Sequence, residues 1–235
     1  TTPIWSSTYS TLAPASVDSG NRYVFAETAT QTVTFTTTSE TIIYGDSLNL
    51  SDNYSLTTSG VAGLTNVYNA TASGAVISLS TVYSLNPTIS ISATGASTST
   101  SGNTKVGSYT LAISLSGGTI NSGYITATSG IGTLTVNQKN ISTLTLSASN
   151  KTYNGDRATS ATISSSDIKT NDVVTFVNSA LFNNKNVGNG KTVTVSSISI
   201  SGGVDSANYN LVTTSGTTTA NIAAKPLTLS GLTAD

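Results

Sequence analysis

The chain of 235 residues contains no cysteine, no histidine, no methionine and a single tryptophan. Without thiol or imidazole there is no Ser-His-Asp or Cys-His arrangement, no thiolate nucleophile, no Cys/His zinc site and no imidazole base. Charge is scarce as well: 8% of residues are charged, against about 25% in an ordinary globular domain. The nine basic residues are scattered singly, so no basic stripe exists to neutralise phosphates, which excludes the usual nucleic-acid partners. The ten acidic residues are too dispersed for a dense calcium or magnesium cage. No apolar run approaches the roughly 18 residues of a membrane span, and the start lacks a signal peptide's basic and apolar regions. The chain opens at Thr1 without Met, which reads as a mature fragment or an excised piece. The absence of cysteine suits a reducing compartment, and equally an exported protein that crosses a bacterial envelope without being locked by disulfides.

What the chain has is small and polar: 39 Ser, 44 Thr and 21 Asn. These residues alternate with apolar ones. Thr32-Val-Thr-Phe-Thr36, Val76-Ile-Ser-Leu-Ser80, Thr88-Ile-Ser-Ile-Ser92, Thr133-Leu-Thr-Val136 and Leu144-Thr-Leu-Ser147 all place an apolar side chain at every second position. So do Lys191-Thr-Val-Thr-Val195, Ile198-Ser-Ile-Ser201 and Leu227-Thr-Leu-Ser230. That is the period of a half-buried strand, and the branched Cβ of Thr favours the extended backbone on the wet face. Ser-Gly-Gly (116–118 and 201–203), Gly-Asn-Gly (188–190) and Asn154-Gly155 separate the runs as turns. No window carries a capped helical stripe; at most, residues 165–172 make one helical turn. The expectation is an all-β chain of two small tandem domains, with at most one short helical turn in each. Antiparallel sandwich and β-grasp-like topologies both remain open, since alternation is common to the two.

The domain reading comes from repetition. Val106-Gly107 recurs as Val187-Gly188, Ser116-Gly-Gly118 as Ser201-Gly-Gly203, and Tyr124 as Tyr209. Tyr44-Gly45-Asp46 answers Tyr153-Asn154-Gly155-Asp156, at a longer separation that leaves room for an extra hairpin in the first unit. A period near 85 residues is the size of a small β-domain with its own core. Expected boundaries give 1–31 as the end of a preceding segment, 32–139 and 140–225 as modules, and 226–235 as the opening strand of a following one.

Residues 140–225 resemble a known family. The ordered motifs Lys151-x-Tyr153-Asn-Gly155-Asp156, Lys185-Asn-Val-Gly188, Lys191-Thr-Val-Thr-Val195, Ser-Gly-Gly203, Ala207-Asn-Tyr209-x-Leu211 and Lys225-Pro-Leu-Thr-Leu229 are similar to the YDG module. That module recurs in bacterial surface proteins of the filamentous haemagglutinin type. Residues 41–139, with Tyr44-Gly-Asp46, Val106-Gly-Ser-Tyr109, Gly123-Tyr124 and Gly132-Thr-Leu-Thr-Val136, resemble the related MBG module. The resemblance implies arrays within large exported adhesins, carried by two-partner secretion to the cell surface or biofilm, with no catalysis in the modules. Asn154 departs from the family's more frequent Tyr-Asp-Gly order, and residues 1–31 fall outside the likeness.

Candidate sites are few. Tyr44, Gly45 and Asp46, with Tyr153, Gly155 and Asp156, read as structural turns: Gly supplies positive φ, Asp caps backbone amides, and Tyr buries its ring. Gly107 and Gly188 mark the second repeated turn. Asp18, Asp46 and Asp52 come nearest to a calcium site, without an Asp-x-Asp-x-Asp run to support it. Gly188-Asn-Gly-Lys-Thr192 imitates a phosphate loop, but Lys185 stands where the first Gly belongs and a strand follows instead of a helix. Five sequons, at Asn49, Asn53, Asn69, Asn140 and Asn150, are near what this composition yields by chance. Lys139, Lys151 and Lys225 are positioned for an isopeptide crosslink if an acid and an Asn lie alongside.

The expected function is therefore a stalk or display array in an extracellular bacterial protein, with no catalytic residue, metal or cofactor. Its expected partners are neighbouring modules of the same parent chain, other copies of itself through strand exchange, and a host or matrix surface; nucleic acid and membrane insertion are not expected. Head-to-tail polymerisation and a glycan- or protein-binding role are the alternatives.

Overall fold

The computed structural model describes residues 31–58, 75–76, 78–121, 123–228 and 231. The chain is built of strands, and its only helical elements among these residues are the turn Leu79–Val82 and a 3₁₀ turn, Ser206–Asn208. It forms two compact units.

The first unit comprises the described parts of Thr1–Ile42, Ser47–Ala96 and Gly107–Thr135. Gln31–Thr37 is the alternating strand read from the sequence, with Val33 and Phe35 fully buried and the threonines between them on the other face. It pairs antiparallel with Tyr54–Thr58 and parallel with Tyr124–Ser129, Gln31 opposite Tyr124. Phe35 stacks on Tyr54 and meets Tyr83 edge-on, and Leu56 and Val82 complete this core. Thr88–Ala93 pairs antiparallel with Gly107–Ser116 in a second sheet that continues through Thr133–Asn137 to Glu40–Ile43. Buried Thr37 ties the strands together: its hydroxyl receives the Gly132 N–H and donates to the Leu111 carbonyl. One expectation is corrected here. The run 76–80 was read as one strand, but Leu79 and Ser80 begin the helical turn. Ser78 nucleates that turn, its hydroxyl bonding those of Ser80 and Thr81 and its carbonyl receiving Thr81 N–H. The backbone bond from Thr81 to Ser78 closes a local turn, which takes the place of extended pairing at these residues.

The second unit contains Ile43–Asp46, Ser97–Val106 and Val136–Asp235. Its main sheet has the order Lys151–Thr152, Gly216–Ala223, Gly188–Gly202, Thr175–Phe182, Ala158–Thr159. Val193, Val195 and Ile198 on the long central strand, with Phe182, Ala180, Ala220 and Ile222 on its neighbours, form the core. The hairpin partners Thr145–Ala148 and Ala161–Ser164 cover it with Leu146 and Ile163. Ser197 sits at φ 52 where the register of the central strand slips, which lets one 15-residue strand keep an apolar inner face across a bulge. Lys139–Ile141 runs parallel to Tyr209–Leu211, and Lys151–Thr152 parallel to Gly216–Ala223. Parallel pairs occur in both units, so neither is a purely antiparallel sandwich.

Two readings of the sequence change in this unit, and a third, at most one helical turn at 165–172, is met with none. The two short segments 43–46 and 97–106, assigned to the first module, are packed in the second unit. The cause is burial: the Tyr44 ring and hydroxyl find their partners there, as described below. No helix forms at 165–172. The Ser165 hydroxyl donates to the Thr143 carbonyl and the Asp167 carboxylate receives the Ser142 and Thr143 N–H groups instead, and Asn171 adopts φ 75. Residues 224–228 are not in a strand, and 229–230 and 232–235, like 1–30 with Trp5, lie outside the described residues.

Substitution Val193→Asp puts an unpaired carboxylate in the fully buried core. It should cost about 4 kcal/mol or more, whereas Leu144→Asp, at the half-buried rim, should cost much less; urea midpoints of both variants measure the difference. The segment packing gives a further expectation. Residues 136–235 produced alone, without 43–46 and 97–106, should melt at lower temperature than the same unit in the intact chain. Equal melting would mean that the two segments contribute nothing to its stability.

Candidate functional site: a buried acid–tyrosine cluster

The densest polar arrangement among the described residues lies in the second unit, where three loops converge on two carboxylates. The turn 43–46 has Gly45 at φ 85, Asp46 N–H bonded to the Ile43 carbonyl, and the Asp46 carboxylate receiving Ile43 N–H. Positive φ at the third position is what a type II turn requires of glycine. This turn drives the Tyr44 ring inward until it is fully buried, edge-on to Tyr209 with ring centroids 5.3 Å apart. Such a pair contributes about 0.5–1.5 kcal/mol beyond its buried area.

Both phenols converge on one oxygen. Tyr44 Oη donates to Asp172 Oδ2 at 2.5 Å and Tyr209 Oη donates to the same atom at 2.6 Å. Asp172 Oδ1 receives Ser101 N–H at 3.0 Å. Each phenol has one proton, and an ionised carboxylate only accepts, so the protons of both tyrosines are committed to Asp172. Ser99 and Ser101 hydroxyls lie 2.5 and 3.2 Å from Tyr44 Oη, and Lys169 N–H donates to Tyr209 Oη. The hairpin 97–106 that carries these serines is closed by a Thr98–Thr104 bridge and by bonds from Ser99 N–H to the Asn103 carbonyl and from Lys105 N–H to the Ser97 carbonyl.

A second acid supports the first. Asp205 is 1% exposed. Its carboxylate receives Thr100 N–H, the Thr100 hydroxyl and Val173 N–H. Asn208, also buried, accepts Val106 N–H through its side-chain oxygen. Gly203, at φ 106, brings its α-carbon so close to the Val173 carbonyl that a Cβ would lie 2.2 Å from that oxygen. The loop 203–208 is thereby clasped onto 172–174, and the hairpin 97–106 onto both.

The electrostatics follow from these bonds. Burial pushes the Asp172 carboxyl up, but hydrogen bonds from Ser101, Tyr209 and Tyr44 outweigh it and hold the group below its ordinary value. Asp205 is likewise lowered: burial raises it, and Thr100 and the Val173 and Thr100 amides more than compensate, against repulsion from Asp172. Burial raises both phenols, and their bonds to Asp172 raise them further. All four groups are moved away from neutrality, whereas a general acid or base works best with a pKa near the working pH. The arrangement is suited to holding three loops together.

The other residues singled out from the sequence lie elsewhere. Tyr153 stands at the corresponding place in its own turn, its N–H bonded to the Ala223 carbonyl as Tyr44 N–H is bonded to that of Asn137, both at 2.8 Å. Gly155 has φ 88, and Asp156 caps Ala158 N–H. Asp156, 58% exposed, also takes the Lys151 ammonium, which further bonds the Asp156 and Ala158 carbonyls. That bond to Lys151 is the main reason its carboxyl is lowered. Lys151 is thus a clamp on the turn. Gly107 opens the strand Gly107–Ser116, and Gly188 opens Gly188–Gly202. The phosphate-loop imitation falls inside the latter strand, at a register shift between Gly188 and Lys191, and no helix follows it. The structure therefore joins Tyr44, but not Tyr153, to the cluster. No group of three or more acids that could hold a metal ion occurs among the described residues, and Asp18 lies outside them. Asp172, Asp205, Asn208 and the 99–101 hairpin tip were not singled out from the sequence. The one signal for them was Ala207-Asn-Tyr209, noted as a motif but not as a site.

Comparison with known proteins places part of this unit. Residues 137–219 match the YDG domain. The match begins one residue after Val136, where the continuous part of the second unit begins, and leaves out 43–46 and 97–106. No curated protein and no solved structure matches the chain.

Asp172→Asn turns an amide donor toward donors that were satisfied by a carboxylate. The expected loss is about 1–3 kcal/mol at pH 7. The pH dependence has a fixed sign. Carboxyls lowered on folding stabilise above their unfolded value near 4 and lose that contribution as pH falls. Phenols raised on folding stabilise below about pH 10 and lose that contribution as pH rises through their folded values. Urea midpoints across pH 2–11 should therefore fall at both ends, with Asp172→Asn flattening the acid limb and Tyr209→Phe the alkaline one.

Proposed function

We propose that the chain is a stretch of structural repeats in an extracellular bacterial surface protein of the filamentous haemagglutinin type, spacing or displaying a binding part carried elsewhere. In this reading residues 32–139 are an MBG-like module preceding the YDG domain, and neither module is an enzyme. The neighbouring modules of the parent are the main partners, with a host or matrix surface reached through other parts of that protein. The observation that carries the proposal is the use made of the acids. Among the described residues, the carboxyls of Asp156, Asp167, Asp172 and Asp205 are each lowered by hydrogen bonds from backbone amides, hydroxyls or a neighbouring lysine, so these acids hold loops in place. The Thr, Ser and Asn faces of the strands also support it, since they keep the surface hydrated with little charge.

A spacer and an adhesive module differ in one measurement. The intact chain, immobilised and exposed to panels of glycans and matrix proteins, should show no saturable binding. Saturable binding that is abolished by substituting exposed residues of either unit would replace the spacer reading with a binding one.

A further inference from the structure

The two Tyr-containing turns are built alike but end differently. Tyr44 N–H bonds the Asn137 carbonyl and Tyr153 N–H bonds the Ala223 carbonyl, so each turn is fixed beside a strand about to leave its sheet. Tyr44 is then sealed by Asp172, Tyr209 and two serine hydroxyls. The Tyr153 ring packs on the core of its unit, yet its hydroxyl has no partner among the described residues.

The same contrast runs through the flanking chain. Counting four residues on from Asn137 and from Ala223 reaches Ile141 and Leu227. Ile141 is fully buried, in the strand parallel to Tyr209–Leu211. Leu227 is 93% exposed. Val106, half-buried and with its amide held by Asn208, corresponds to Val187, which is 52% exposed. Gly188 and Lys151 are both opposite Ile222, so the loop 183–187 and the 153–156 turn share one end of the sheet. Three features that are more covered around the cluster are thus more exposed together at one place.

We infer that the 153–156 turn, the loop 183–187 and the segment 224–228 form a receiving face for one further YDG-type module placed after them, whose own acid and tyrosine, the counterparts of Asp172 and Tyr209, close over Tyr153. This rests on the repeat-array reading above and adds to it the surface and the occupant. The occupant is specified by chemistry: a buried carboxylate able to accept the Tyr153 proton, a second tyrosine to meet its ring edge-on, and a strand edge like Tyr209–Leu211 to take the segment holding Leu227. Each YDG-type module would then be completed by turns borrowed from the chain before it.

The test extends the protein by its own module: residues 1–228 followed by a second copy of 143–235, which keeps the segment 224–228, compared with the unextended chain. Tyrosine nitration by tetranitromethane, read by peptide mass, should modify Tyr153 in the unextended chain and leave it protected in the extended one. Tyr153→Phe should leave the melting of the unextended chain unchanged, because the lost hydroxyl had no partner. In the extended chain it should lower the melting of the added copy by about 4–8 °C, the scale of one buried hydrogen bond in a domain of this size. If the added copy folds while Tyr153 stays open to nitration and Tyr153→Phe has no effect, the receiving face is overturned and the repeat-array reading stands. If the added copy does not fold at all, both are overturned.

Discussion

The Asp172 carboxylate takes protons from two buried phenols at one oxygen and a backbone amide at the other, and the second unit is organised around that fact. A charged group partly withdrawn from water is tolerable only with such a set of donors, and the donors come from three places far apart in the chain. Tyr44 arrives from one turn, Ser101 from the tip of a separate hairpin, and Tyr209 from the end of a 3₁₀ turn. Fixing the carboxylate therefore fixes all three. Asp205, 33 residues further along the chain, repeats the device, joining Thr100 to Val173. In a chain so poor in charge, these two acids join loops far apart in sequence, whereas the Lys151–Asp156 ion pair stays within one turn and the strand before it.

The β-framework beneath the cluster has a different origin. Its strands bury Val, Ile and Phe on one face and leave Thr and Ser on the other, and the hydrophobic gain needs no particular partner. That tolerance explains how Gly188–Gly202 runs on through a bulge at Ser197 and still keeps Val193, Val195 and Ile198 inside. The parallel pairs Gln31–Thr37 with Tyr124–Ser129, and Lys139–Ile141 with Tyr209–Leu211, give both units a common plan despite different loop lengths. In each, a strand that opens a module lies beside one that begins at a repeated tyrosine.

A repeat also permits one turn to serve in two settings. Tyr44 and Tyr153 have the same backbone anchorage, and Gly45 and Gly155 the same left-handed φ. Their surroundings decide whether the side chain is a sealed hydrogen-bond donor or an open one. Asp46 receives the Ile43 N–H within its own turn, and Asp156 is engaged by Lys151 from the strand just before its turn.

Alternation along the strands and glycine at the turns were legible in the sequence because both are local: a period of two sets which side chains are buried, and φ near +85 admits little but glycine. The order of motifs likewise pointed to the YDG domain found at 137–219. The run 76–80 differs because a local backbone turn, Thr81 N–H to the Ser78 carbonyl, leaves no mark on apolar periodicity. The cluster was hidden for a related reason. Nothing near Asp172 in the chain distinguishes it from Asp167 or Asp52, and its partners lie 37, 71 and 128 residues away. Sequence determined the strands and turns, through local sterics and hydrophobic periodicity. Only the tertiary structure decided that residues 43–46 and 97–106 belong with the second unit, because that choice rests on where a buried carboxylate can find enough donors.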